Sequence, residues 1–137
     1  MSFSASKFLI VNGIPVGRRP PFETQASEVI DINDKANDCE NFNEYPVVTS
    51  ESTGVRIKDK VIICGGMNQD RRLFYRDDYE SVFDRCYIGD QNGFKLLTRL
   101  PHKPAAAASL VYNDTMWLTG GSDLSKITWR NSQRCNS

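Results

Sequence analysis

The feature that most constrains this chain is a spaced recurrence of apolar runs, each ending in a glycine turn. The runs are Phe8-Leu9-Ile10-Val11-Asn12-Gly13, Val61-Ile62-Ile63-Cys64-Gly65-Gly66 and Met116-Trp117-Leu118-Thr119-Gly120-Gly121. The second and third glycine pairs lie 55 residues apart, and Gly13 lies 53 before Gly66. A fixed period of this size marks a stacked repeat, in which no unit buries its apolar face alone. The 55-residue shift aligns more than the glycines. Cys39 falls on Phe94, Phe42 on Leu97, Tyr45 on Leu100, Pro46 on Pro101, Val55 on Leu110, Ile57 on Tyr112 and Asp59 on Asp114. Four positions between Cys39 and Gly66 are identical in the next copy, against about two expected by chance at ordinary residue frequencies. The repeat therefore rests on the joint agreement of apolar positions, turns and glycines, not on identity.

Each unit reads as four strands. The first two form a hairpin: Val55–Ile57, turn Lys58-Asp59, then Lys60–Cys64; in the next copy Ser109–Tyr112, turn Asn113-Asp114, then Thr115–Thr119. Asn and Asp tolerate the left-handed conformation such turns need. After a variable loop comes a third strand, Glu28–Ile32 or Arg85–Ile88. A short fourth follows, Cys39–Tyr45 or Phe94–Leu100, stopped by proline, which cannot donate to a sheet ladder. The second strands are continuously apolar, as strands covered on both faces are. The glycine pairs suit a tight strand exit where a neighbouring backbone approaches closely. No segment has a helical period, and Pro101 and Pro104 bracket the short alanine run.

These residues resemble the kelch repeat. The match runs through Ile62-Ile63-Cys64-Gly65-Gly66, the loop 67–81, Asp84-Arg85-Cys86-Tyr87-Ile88 and Phe94-Lys95-Leu96-Leu97-Thr98-Arg99-Leu100-Pro101, and it reopens at Leu110-Val111-Tyr112. Phe94 and Cys39 stand where the family usually has tryptophan, and Asn12-Gly13 replaces the first glycine pair. The resemblance implies an all-β, partial kelch-type β-propeller of about two four-stranded antiparallel blades. Its structural positions are Gly13, Gly65, Gly66, Gly120, Gly121, Tyr87, Phe94 and Trp117. The organisation expected is an extension over 1–6, a partial blade over 7–46, a full blade over 54–101, a partial blade over 109–130, and a polar tail over 131–137. Within the third unit Lys126–Arg130 is the candidate third strand. Propellers use roughly four to eight blades, so the expectation is a piece of a ring, or a ring completed by self-association through open blade faces.

The same resemblance implies a bond between Cys64 and Cys86, as in extracellular-type kelch proteins; the other reading of the residues is two buried free thiols. Asn113-Asp114-Thr115 is an N-glycosylation sequon on a hairpin turn. The loop holding Arg71, Arg72, Phe74, Tyr75 and Arg76 mixes arginine with aromatics, the residues favoured at protein interfaces. It is the candidate binding loop, with Arg18 and Arg19 in the corresponding loop before it.

Composition excludes other classes. Formal net charge is zero, which removes the electrostatic reason to expect nucleic acid. No apolar run approaches a membrane span, and 1–6 has no basic n-region of a signal peptide. A cytoplasmic and an extracellular setting both stay open. One histidine, His102, and four cysteines without C-x-x-C spacing argue against a metal centre. A copper oxidase site needs several histidines, and Ser122-Asp123 with Thr128-Trp129 lacks the spacing and central glycine of a sialidase aspartate box. The expectation is a non-catalytic scaffold, without cofactor, that presents loops to a protein partner; the alternative is a secreted or cell-surface, disulfide-containing module. A remnant of a propeller enzyme of galactose-oxidase or sialidase type ranks below both.

Overall fold

The computed structural model describes residues 7–13, 24–33, 40–68, 82–122 and 133–136. These contain ten strands and no helix: β1 (Lys7–Gly13), β2 (Thr24–Asp31), β3 (Glu40–Phe42), β4 (Thr53–Ile57), β5 (Lys60–Cys64), β6 (Arg85–Asp90), β7 (Gly93–Arg99), β8 (Ala108–Tyr112), β9 (Thr115–Thr119) and β10 (Gln133–Asn136). They form three antiparallel sheets in which spatial order follows chain order: β1-β2-β3, β4-β5-β6-β7 and β8-β9-β10. The fold is all-β and propeller-like, one four-stranded sheet between two three-stranded ones.

Local chemistry accounts for the hairpins. Lys58 opens the β4–β5 turn at φ 57°, and Asn113 and Asp114 make the β8–β9 turn at φ 55° and 52°. A two-residue hairpin needs such positive φ to match strand twist, and Asn and Asp accept it at least cost. The predicted second strands Lys60–Cys64 and Thr115–Thr119 are observed at those bounds, and in the first two units the first, third and fourth strands that were predicted are found within a few residues of expectation.

The 55-residue repeat is also present in the backbone. Left-handed conformations recur at Glu51 and Ala106 (φ 56° and 54°), Lys58 and Asn113, Gly65 and Gly120 (66° and 71°), and Gly66 and Gly121 (98° and 93°). The bridge between Ser50 and Met67 recurs between Ala105 and Ser122. Its two hydrogen bonds, each 2.8 Å in the first copy, measure 3.0 and 2.8 Å in the second. Two stretches of different sequence thus adopt one conformation.

Two cores hold the sheets together. Between the middle and last sheets, Val55, Ile57, Ile62, Cys64, Cys86 and Leu100 pack with Met116 and Leu118. Between the first and middle sheets, Leu9 and Val29 pack with Val61, flanked by Val11, Phe42 and Phe94. Strand β5 is buried from Val61 to Cys64, because Ile62 and Cys64 face one neighbour and Val61 the other. Each such aliphatic side chain contributes about 1.5–3 kcal/mol relative to exposure.

Double burial of every second strand was expected, and β5 shows it most fully. In β9, Thr115, Met116 and Leu118 are buried and Trp117 is half-buried. In β1, Ile10 is 48% exposed although Leu9 is buried. Ile10 lies on the outward face of the first sheet, which no other described sheet covers. A second correction concerns the end of the chain. Gln133–Asn136, read from sequence as part of a polar tail, is β10, paired with β9 from Gln133↔Leu118 to Asn136↔Thr115. A four-residue polar strand carries no apolar period, so pairing rather than patterning defines it. The candidate strand 126–130 and the extension 1–6 lie outside the described residues.

Candidate functional site

The site begins where the second strands end. Gly65 and Gly66 carry the chain out of β5 with positive φ. A Cβ on Gly65 would clash with the carbonyl oxygen of Pro104, and one on Gly66 would clash with Ser52 Oγ. The same Pro104 carbonyl accepts the Gly66 N–H at 2.8 Å, and the Ala106 N–H donates to the Glu51 carbonyl at 2.9 Å. These bonds tie the approach to β8 onto the exit of β5. They explain why the sequence places glycine at these positions and proline and alanine opposite. At Gly121 a Cβ would sit 2.9 Å from the Ala105 carbonyl, whereas at Gly120 it would meet nothing within 4 Å among the described residues. Gly13 ends β1 at an irregularity in the β1–β2 register.

The candidate binding loop leaves from this point. Met67 bridges both Ser50 and Val82, so the two ends of the 69–81 segment are pinned together at its base. Met67 and Val82, at those ends, form a small buried cluster with Ala105. Arg71, Arg72, Phe74, Tyr75 and Arg76 themselves, with Arg18 and Arg19, lie outside the described residues. Connections 14–23, 69–81 and 123–132 leave at corresponding ends of the three sheets.

Behind the loop base the middle sheet is braced twice. Cys64 and Cys86 are register partners across β5 and β6, and they are joined by a disulfide with Cα atoms 4.1 Å apart. Both are fully buried, and Cys64 Sγ lies 3.9 Å from Met116 Sδ of the next sheet. The second brace is aromatic. Tyr45 makes edge-on contacts with Tyr87 and Phe94 at 5.4 and 5.3 Å, and Phe94 meets Phe42 at 5.8 Å. The Tyr45 hydroxyl donates to the Ile63 carbonyl at 3.5 Å. Its burial raises the phenol pKa well above the ordinary tyrosine range, and the neighbouring Tyr87 adds to this. The Phe94 ring occupies the space a side chain at its strand partner Gly89 would need.

Of the residues singled out from sequence, Gly65, Gly66, Gly121, Tyr87, Phe94, Cys64 and Cys86 are structural, and they lie in or beside the packed interfaces. Trp117 is half-buried in β9 opposite Leu110. Asn113 is exposed at the tip of the β8–β9 hairpin, with its carbonyl accepting from Thr115 Oγ1 at 3.2 Å. Sequence reasoning missed Tyr45, Pro104 and Gly89. The signal for Tyr45 was its alignment with Leu100 ahead of a shared proline. Pro104 and Gly89 act only through contacts that no pattern records.

At the opposite end of the middle sheet, Lys60, Asp90, Asn92, Phe94 and Lys95 line a pocket of about 250 Å³. Asn43 Nδ2 donates to the carbonyls of Asp90 and Gln91 at 3.3 and 2.9 Å beside it. Among the described residues no group of three His, Cys, Asp or Glu side chains is placed to hold a metal ion, and no helix is long and apolar enough to cross a membrane.

No family model and no curated protein matches the chain. The solved structure of YjhT is similar in fold, with a TM-score of 0.74 and 16% identity over 94% of this chain and 39% of that one. At that identity the likeness concerns the fold alone. The chain spans 39% of the length of YjhT.

Proposed function

We propose that this chain is part of a kelch-type propeller and works as a non-catalytic scaffold, presenting its second-to-third-strand loops to a protein partner. The observation that carries this reading is the base of the 69–81 loop. It is held by Met67 bridged to both Ser50 and Val82, and it stands on a disulfide-braced sheet packed on both faces. A base held in this way fixes where the two ends of the loop start, which lowers what must be ordered on association. The Arg-aromatic content of that loop supplies the anchors such interfaces use.

The test compares the native chain with the triple variant Arg72→Ala, Phe74→Ala, Tyr75→Ala, using crosslinking capture and mass spectrometry, with melting temperature as the control for folding. The expected result is loss of a defined captured protein at an unchanged melting temperature. Identical capture by both chains rejects the loop as the binding surface.

The disulfide favours one refinement, that the scaffold works in an oxidising setting, at the cell surface or secreted. Mass mapping of unreduced native protein checks this. Free thiols at Cys64 and Cys86 in material kept from air would reject it.

A further inference from the structure

We propose that Asn113 is an N-glycosylation site, its side-chain nitrogen carrying a sugar chain at the tip of the β8–β9 hairpin. This rests on the oxidising setting that the Cys64–Cys86 disulfide favours, because such sugars are attached on the secretory route, where disulfides form.

Asn113-Asp114-Thr115 is the one Asn-x-Ser/Thr triplet in the chain. Ten asparagines give about one such triplet by chance at ordinary residue frequencies, so its surroundings have to decide. Asn113 is exposed and stands at φ 55° in the two-residue turn, above the Tyr112↔Thr115 pair. Among the described residues none hydrogen-bonds its side-chain amide. The turn uses its carbonyl instead, which accepts from Thr115 Oγ1 at 3.2 Å. The Nδ2 atom is therefore dispensable to the fold.

This exposure does not depend on what lies beside the last sheet. Lys58 holds the equivalent turn position in the middle sheet, which is packed on both faces, and its side chain is still 73% exposed. Lys58 Nζ lies 3.5 Å from Asp114 Oδ2, so the two tips stand side by side at one end of the stack. Sheet-on-sheet packing leaves that end open to solvent. Strand β9 runs away from the turn, so Asn113 and the 123–132 connection lie at opposite ends of their sheet. A sugar on Asn113 covers the hairpin end and leaves clear the end from which 69–81 departs.

The step is a group transfer. Nδ2 forms a bond to the anomeric carbon of an oligosaccharide carried on a lipid pyrophosphate. The bond from that carbon to the pyrophosphate oxygen breaks, the lipid pyrophosphate leaves with the bonding pair, and one Nδ2 proton passes to solvent. Thr115 fixes the timing. The triplet is read through its hydroxyl residue, yet Thr115 is 5% exposed and its hydroxyl is engaged with the Asn113 carbonyl. Transfer therefore precedes closure of the hairpin.

Native protein from its own source is mapped by mass spectrometry without reduction, after peptide-N-glycosidase digestion in heavy-oxygen water. That enzyme turns a sugar-bearing asparagine into a labelled aspartate. The expected result is label at position 113 together with a joined Cys64–Cys86 peptide. Joined cysteines with unlabelled Asn113 overturn the proposal and leave the oxidising setting standing. Free thiols with unlabelled Asn113 overturn both. In cells that carry the 137-residue chain through the secretory route, a glycosidase-sensitive shift in gel mobility is expected. Asn113→Gln and Thr115→Val are each expected to abolish it, and Thr115→Ser to keep it. The shift is read on total cell protein, so a variant that fails to fold is still scored. A shift that survives Asn113→Gln overturns the proposal.

Discussion

The carbonyl oxygen of Pro104 occupies the space a Cβ on Gly65 would need and accepts the N–H of Gly66 at 2.8 Å. One peptide group thereby couples the exit of β5 to the entry of β8. A Cβ added at the equivalent Gly120 would meet nothing within 4 Å among the described residues, although its φ of 71° matches the 66° of Gly65. The repeat therefore holds two glycines with the same conformation and different surroundings.

That contrast separates strain from crowding. Gly120→Ala is expected to cost only the left-handed backbone penalty, about 1–2 kcal/mol. Gly65→Ala is expected to cost that plus about 1–3 kcal/mol for displacing Pro104. Urea denaturation of both variants measures the difference, and equal losses would contradict the crowding argument.

The Cys64–Cys86 disulfide links positions 22 apart in sequence. Reduction, or the double change Cys64→Ala and Cys86→Ala, is expected to lower stability by about 2–4 kcal/mol. The native chain should therefore lose denaturation midpoint when reductant is added. The double variant should not respond to it.

Tyr45 joins the aromatic cluster through its ring and the β5 backbone through its hydroxyl. Tyr45→Ala is expected to cost about 3–5 kcal/mol, as large-to-small aromatic changes do in cores. Tyr45→Phe is expected to cost about 0.5–1.5 kcal/mol. The comparison by urea denaturation at neutral pH separates packing from hydrogen bonding.

The same residue predicts an alkaline effect. Burial raises the folded-state pKa of Tyr45 above its ordinary value of 10.0. The folded protein then keeps a proton that the unfolded chain has lost. The corresponding stability is complete below pH 10 and falls as pH rises beyond it, by up to about 1.4 kcal/mol per pH unit. In Tyr45→Phe this component is absent, so the loss between pH 9 and about 11.5 should be smaller than in the native chain. Parallel losses in both would contradict the assignment.

Two ion pairs differ in their expected worth. Arg99 Nη1 reaches both Asp84 carboxylate oxygens, at 2.9 and 3.2 Å, and the Asp84 side chain is only 19% exposed. Lys58 and Asp114 are 3.5 Å apart and both largely exposed. Arg99→Ala is expected to cost up to about 1 kcal/mol, and Lys58→Ala only a few tenths. Thermal melts in low and roughly 1 M salt check this, since salt screens the exposed pair almost fully.

The repeat, the strand bounds around the glycine pairs and the hairpin turns were legible in the sequence. Each is a local pattern, set by alternation, by continuous apolar runs and by residues that tolerate positive φ. The polar strand β10 was not legible, because its place depends on pairing with β9 and its own composition carries no period. Equally illegible was which apolar positions are covered. Ile10 and Leu9 are neighbours of the same character, yet one faces solvent and the other a core.

The sequence by itself thus determined an all-β repeat with glycine-terminated strands, because those signals lie within one unit. Only the tertiary structure decided that Gly65 meets Pro104, that Tyr45 joins Tyr87 and Phe94, and that Cys64 partners Cys86 beside Met116. These contacts span separate sheets or strands distant along the chain. The disulfide lies within one unit and needs β5 and β6 brought into register; the others follow from how one unit packs on the next, which no single repeat contains.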